Sequence, residues 1–246
     1  MSRYKGVISY DGSSFCGYQI QPRDRTVQGE LEKALRKIHK GQHIIVEGSG
    51  RTDAGVHAYG QVIHFDSPLE VPVEKWSTVL NTTLPDDIVV KSVEAADNDF
   101  HARHSAIGKE YRYRVYTSSE RDPFKRHYSH YYPYKLDLEA MEKALGYFLG
   151  THDFTSFCSA KTTVSSRIRT LHEISFTQEK DELIFKFVGN GFLYNMVRII
   201  MGTLLEVGRG RKQPEQIPMI IEEKNRKLAG KTAGPEGLYL WKVFYE

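Results

Sequence analysis

The run Gly50–Arg51–Thr52–Asp53–Ala54–Gly55–Val56–His57–Ala58 sets a carboxylate between glycines. Glycines let the backbone turn tightly and leave room for a substrate to approach. Read by itself, Asp53 has two uses: a reacting group in a loop, or an Asx-turn that bonds the loop backbone. Four histidines, His57, His64, His101 and His104, raise the question of a metal, and His101 and His104 even have helical spacing. The surrounding segment supplies no further ligand set, so no metal site is expected. Cys16 and Cys158 are the only cysteines and lie far apart, outside any CxxC spacing. Neither a disulfide framework nor a zinc site follows from them. No GxxxxGK[ST] loop is present, nor a GxGxxG after a strand, which argues against a nucleotide cofactor.

Cations gather at Arg121–Lys125–Arg126, Lys161–Arg167–Arg169, Arg209–Arg211–Lys212 and Arg226–Lys227–Lys231. The formal charge is only +3, so the distribution matters more than the sum. Such clusters can be plain solvated patches. Here they alternate with rings: Tyr111, Tyr113, Tyr116, Tyr128, Tyr131, Tyr132 and Tyr134 crowd the middle of the chain. Unpaired bases stack on rings while phosphates need cations, which points to RNA. Tyrosine is equally a good strand residue. His127 and His130 fall in the same tyrosine-rich stretch, exposed or facing RNA.

The elements that must hold these groups read as an α+β order. Residues 3–10 alternate as a strand, with Tyr4, Gly6, Ile8 and Tyr10 on one face. Thr26 can cap a helix over 26–39, where Val27, Leu31, Ala34, Leu35 and Ile38 recur at spacings of three and four. Strands follow at 43–48 and 61–66, with a structured loop over 49–60 between them. A short helix near 73–80 and a strand at 88–95 complete β-α-β-β-α-β. The second half gives strands at 109–117 and 128–134, then a helix capped by Asp137 whose Leu138, Met141, Leu145 and Phe148 form one stripe. Strands at 168–178 and 182–189, a helix at 193–207 and a strand at 238–245 close the chain. Short links favour antiparallel pairing, and helices would cover one face. The expectation is two ferredoxin-like halves, 1–104 and 105–246, sharing a mostly antiparallel sheet. With 246 residues, 40% of them hydrophobic, the chain can bury one large core or two smaller ones. No stretch approaches the roughly 20 apolar residues that span a bilayer, and the N-terminus lacks a signal-peptide core, so the expected compartment is cytoplasmic.

Six motifs in order resemble the tRNA pseudouridine synthase A family over essentially the whole chain. The first is Tyr10–Asp11–Gly12 with Phe15, Gly17, Gln19, Gln21 and Thr26–Val27–Gln28; the second is the run around Asp53. Phe100, Ala102, Arg103, Ala106, Lys109, Tyr111 and Tyr113 form the third, and Gly150–Thr151–His152–Asp153–Phe154–Thr155–Ser156–Phe157 the fourth. Gly191–Phe192–Leu193–Tyr194–Asn195–Met196–Val197–Arg198 and Gly237–Leu238–Tyr239–Leu240 are the last two. Two departures are visible: Tyr18 stands where the family often has tryptophan, and Pro235 comes one residue late. Both bear on loop shape and neither on the chemistry.

The resemblance implies a pseudouridine synthase fold and an isomerase. Asp53 would be catalytic, and Tyr111 would lie on the target base, where its hydroxyl could help remove the C5 proton. Arg198 would pair with Asp53, and Arg51 would support the emptied base stack or clamp phosphate. The reaction breaks N1–C1′, turns the base and joins C5 to C1′, without redox change or outside group, so no cofactor is implied. A carboxylate can serve as nucleophile in such chemistry, and an adjacent guanidinium would keep it ionised. Attack at C1′, addition to the uracil ring and removal of a sugar proton remain alternatives for Asp53. The family also implies a homodimer acting on tRNA positions 38 to 40, with clusters such as Arg121–Arg126 and Lys161–Arg169 on the RNA backbone. Two rivals fit less well. A non-catalytic RNA-binding module gives no reason for a carboxylate in a phosphate groove and shows no RNP1 string. A glycosidase would need a second carboxylate, for which no partner motif stands out.

Overall fold

The computed structural model describes residues 1–160 and 164–245. Lys161, one member of a basic cluster above, lies outside the described residues. In chain order the elements are β1 (Ser2–Tyr10), α1 (Val27–Ile38), β2 (Glu47–Gly48), β3 (His57–Ser67), α2 (Trp76–Asn81), β4 (Ile88–Ala96), β5 (Gly108–Tyr116) and β6 (His130–Tyr131). They continue with α3 (Leu138–Gly146), β7 (Gly150–Asp153), β8 (Ile168–Glu179), β9 (Glu182–Gly189), α4 (Met196–Gly208), α5 (Gln216–Glu222) and β10 (Leu238–Phe244). The chain divides into two compact units, Met1–Ile107 with Tyr239–Glu246, and Gly108–Leu238.

In the first unit β4, β1 and β3 are neighbours and both pairings are antiparallel. The stub β2 pairs antiparallel with β3. This is the 4-1-3-2 order of a ferredoxin-like half. Alternation on β1 holds: Tyr4, Gly6, Ile8 and Tyr10 are buried while the residues between them are half-buried. Tyr4 lies opposite Phe65 in the ladder, and both rings pack against Trp76 of α2, at 5.1 and 5.3 Å. Thr26 caps α1 as expected, its hydroxyl accepting from Gly29 N. The last strand joins this unit, with Tyr239 opposite His57 and Leu240 opposite Ala58 in a parallel pairing. Residues 239–245 thus group with the first unit, whereas the sequence reading divided the chain between 104 and 105.

In the second unit the order is β5, β9, β8, β7, all antiparallel. Tyr113 and Phe185, partners across β5 and β9, are both fully buried. Asp137 caps α3, accepting from Ala140 N. Helix α4 is buried around nearly its whole circumference, with only Arg198 and Glu206 outside its buried set. Such a helix belongs to a core, not a surface. The stretch read as a strand over 128–134 shortens to β6, which pairs parallel, not antiparallel, with β5.

His64 carries a testable consequence of this packing. It is 6% exposed, its Nδ1 accepts from Ala102 N at 3.2 Å, and its ring lies 4.7 Å from His101. Burial first, then His101 and Arg3, hold the imidazole down to about 4, against an opposing pull from Asp66. The unfolded chain therefore takes up this proton near pH 6.5, whereas the folded chain refuses it until about 4. Stability is full above pH 6.5 and declines as pH falls toward 4. A His64→Gln variant, which retains an acceptor, should show a flatter decline over that window in pH-dependent thermal melts. A variant profile parallel to wild type would sink the assignment to His64.

Candidate active site

The loop around Asp53 is built by residues the motif itself does not contain. The loop returns over the start of the chain. Thr52 Oγ1 meets Tyr10 Oη at 2.8 Å in a buried contact, and Thr52 O accepts from Tyr18 N at 3.1 Å. Gly55 N donates to Phe15 O at 3.2 Å, and Val56 N to Asp53 O at 3.1 Å. Gln61 of β3 closes the other side, donating to Gly50 O at 2.7 Å and accepting from Ser49 Oγ at 2.6 Å. Thr52 and Val56 are buried, Asp53 is half-buried and Arg51 is exposed. Two buried anchors therefore hold a half-open carboxylate.

Gly12 and Gly17 make this seat possible. A Cβ on Gly12 would stand 2.0 Å from Val56 O. One on Gly17, whose φ is +96°, would stand 2.8 Å from Thr52 O. Any side chain at either place would displace the loop, which explains why these glycines stand in the opening motif. His57 belongs to the same seat. It is 2% exposed; its Nδ1 accepts from Gly12 N at 3.0 Å and lies 3.3 Å from Asp11 Oδ1. Its ring stacks on Tyr239 at 4.7 Å. Among the described residues no group of three or more His, Cys, Asp or Glu is placed to hold a metal.

The hydroxyl of Tyr10 is held protonated, since burial raises its pKa far more than its bonds to Thr52 and Gln61 lower it. Either hydroxyl can be the donor in its bond with Thr52. Removing the tyrosine hydroxyl in Tyr10→Phe costs the buried hydrogen bond to Thr52 among others, about 1 kcal/mol. Spent on loop placement, that should lower kcat about fivefold with KM within about twofold. Equal kcat would show that Thr52 keeps its position unaided.

Tyr111 and Arg198 stand in the second unit. Tyr111 is on the same face of β5 as Tyr113 and Val115, 8% exposed, with Phe192 edge-on to its ring at 4.9 Å. Phe192, in the same motif as Arg198, was not singled out from sequence; its role shows only through this contact. Arg198 is half-buried near the start of α4. Its Nε donates to Ala233 O at 2.9 Å and its Nη1 to Asn195 Oδ1 at 3.0 Å. Asn195, at φ +62°, turns the chain into the helix. Arg198 also helps hold the Glu236 carboxyl low. Burial opposes that charge most strongly, but a hydrogen bond with His130 and Glu236's own backbone outweigh it. His130 is therefore a partner of Glu236, at 2.5 Å, and not a surface group awaiting RNA.

Members of the basic clusters are engaged within the fold. Lys125 pairs with Asp181 at 2.9 Å and Lys212 with Glu206 at 3.5 Å. Arg226 donates to Gly230 O at 2.9 Å and to Thr232 Oγ1 at 3.1 Å, inside its own fold. Arg209 lies over the Tyr134 ring at 3.7 Å.

The model of the family described as tRNA pseudouridine synthase matches residues 7–105 and 144–246. A Geobacillus kaustophilus chain named tRNA pseudouridine synthase A is 59% identical over 99% of this chain and 95% of its own length. The chain belongs to the tRNA pseudouridine synthase family. Further members of that name are 59% identical in Anoxybacillus flavithermus, covering 100% of both chains, and 55% identical in Bacillus subtilis, covering 99% of each. Membership makes the α+β architecture a pseudouridine synthase fold and the chain an isomerase. Among solved structures, a chain of "Crystal Structure of a Cbf5-Nop10-Gar1 Complex" is similar at TM-score 0.36 and 15% identity, over 82% of this chain and 45% of that one. That likeness is too distant to inform residue roles. The family's motifs and the anchors described here coincide in the first unit, where Gly12, Gly17 and Thr52 all serve the Asp53 loop.

Proposed function

We propose that this chain isomerises uridine to pseudouridine at positions 38, 39 and 40 of the tRNA anticodon stem-loop, in the cytoplasm, as a homodimer and without cofactor. The observation that carries the proposal is the buried seat under a half-open Asp53, in a chain that shares more than half its residues with synthases of that name. Asp53, in the catalytic loop of the N-terminal half, is the catalytic carboxylate. Arg198 and Tyr111, from the C-terminal half, hold that carboxylate ionised and stack on the flipped uracil. Arg51 is exposed two residues before Asp53, suited to fill the emptied stack or to hold a phosphate.

The target base must leave its stack before any group reaches the glycosidic bond. The N1–C1′ bond then breaks, the base turns, and C5 joins C1′. C5 gives up its hydrogen as it becomes the glycosidic carbon, while N1 gains one. Tritium placed at C5 of uridine must therefore enter water once per turnover. A tRNA transcript so labelled should release label in the presence of this chain alone. Retention of the label after prolonged incubation would refute the proposal. Sedimentation of the protein with and without transcript checks the dimer; a monomer in both would remove that part of it. Among the described residues no helix is long and apolar enough to cross a membrane.

A further inference from the structure

Phe124 is 85% exposed, more than any other large hydrophobic residue described. Scattered apolar side chains on a surface need no explanation, but this one is presented. It lies in the segment between β5 and β6, which is tied down on both sides. Thr117 N donates to Asp181 O at 3.0 Å and Asp122 N to the Tyr116 hydroxyl at 3.3 Å. Phe124 N donates to Asp122 Oδ1 at 2.8 Å, and Lys125 N to Asp122 O at 3.1 Å. Tyr128 N and Ser129 N both donate to Lys125 O, at 2.9 and 3.0 Å. The Lys125 ammonium is fastened to Asp181 at 2.9 Å. The turn is thus bonded along its length, and the phenyl ring it carries is exposed.

The two other cations of this turn are not consumed in the same way. Arg126 donates to Pro123 O at 2.5 Å, and Arg121 lies over the Tyr131 ring at 5.3 Å. Both are exposed, and neither is in an ion pair among the described residues. An exposed ring in a hydrogen-bonded turn, with exposed arginines three residues before it and two after, matches an unstacked base flanked by phosphates. An apolar protein partner would gain from the ring but would have to bury both charges unpaired, which is costly. A backbone of phosphates gains from all three.

We propose that Phe124 is a base-stacking anchor for RNA, with Arg121 and Arg126 gripping the adjoining phosphates. The inference rests on the reading of the chain as a tRNA-modifying enzyme and adds a contact outside its catalytic residues. Phe124→Ala should raise the Kd for an unmodified tRNA transcript about 5- to 150-fold, the range for loss of one base–aromatic stack. The residue is exposed, so the fold should tolerate the change. Phe124→Trp should restore binding while Phe124→Leu should not, because stacking needs a flat π-face. The new indole should lose fluorescence when transcript is added, measured against the wild-type background of Trp76 and Trp241. The double variant Arg121→Gln, Arg126→Gln should bind with a shallower salt dependence.

A wild-type Kd for Phe124→Ala, or equal rescue by leucine and tryptophan, would overturn the inference. So would loss of self-association in Phe124→Ala with RNA affinity kept, which would make the ring a contact between copies of this chain. Wild-type tritium release is followed in parallel. Release with unchanged Phe124→Ala binding defeats only this inference, while absence of release and of binding in wild type defeats the functional reading and this with it.

Discussion

Asp53→Asn should abolish pseudouridine formation, by at least about a thousandfold, while tRNA binding stays within about threefold of wild type. The substitution keeps the shape but removes the charge and turns one acceptor oxygen into a donor, and a neutral amide cannot do the work of the ionised carboxylate. The loop itself should survive. Its anchors are backbone and neighbouring groups: Val56 N on Asp53 O, Tyr18 N on Thr52 O and Gln61 on Gly50 O. Asp53 is half-buried rather than enclosed, so stability should change by less than about 1 kcal/mol. Binding should not weaken, because a negative charge in an RNA site opposes phosphate. Single-turnover conversion and transcript affinity, measured on the same preparation, check both halves. Residual conversion above about a tenth of wild type would move the catalytic role away from Asp53.

Gly202→Ala should be the most damaging single methyl group in the second unit. Gly202 lies inside α4, where its missing side chain admits another stretch of backbone. A Cβ there would sit 1.6 Å from Lys231 O and 3.4 Å from Ala233 N. The approach is mutual, since a Cβ on Gly230 would stand 2.7 Å from Gly202 O. The seam is bonded by Thr203 Oγ1, which accepts from Gly230 N at 2.9 Å and donates to Ile199 O at 2.8 Å. Ala233 N also donates to Arg198 O at 3.0 Å. Forcing the helix and the facing segment of this seam apart combines overpacking with broken buried hydrogen bonds, about 3 kcal/mol or more. Thermal melts should fall by roughly 6–12 °C. The same seam holds the Arg198 guanidinium through Ala233 O, so protein that still folds in the cold should convert tRNA more slowly. Gly146→Ala is the control, with nothing within 4 Å of its Cβ, and should be neutral or slightly stabilising. Equal melting of the two variants would refute the packing argument.

The sequence made the capped and periodic elements readable. Thr26 and Asp137 cap their helices because local chemistry alone decides a cap. β9 runs over the expected residues because its alternation is uninterrupted. Long-range partners explain the departures. β3 starts at His57, ahead of the expected Gln61, because His57 and Ala58 pair with the distant Tyr239 and Leu240. The strand expected over 43–48 shrinks to Glu47–Gly48, where Gly48 lies so near Tyr18 that a Cβ would meet its ring at 2.5 Å. Helix α5 went unread, although Ile217, Ile220 and Ile221 bury one face; it holds Pro218, which is tolerated because it falls in the first turn, where its missing N–H costs no helix bond. β7 was hidden inside a motif read only for its likeness. Of the site, Asp53, Tyr111, Arg198 and Arg51 were named from their motifs. Tyr10 and Phe192 stood in the family motifs and Gln61 in an expected strand without a role assigned, because what marks them is a contact made across the fold.

The most direct test of the central claim is position-resolved pseudouridine mapping on an unmodified tRNA transcript incubated with the wild-type chain, no metal or cofactor added. The account predicts conversion at positions 38, 39 and 40 wherever uridine stands there, and nowhere else in the transcript. Conversion confined to other positions, or binding without conversion at any, would contradict it.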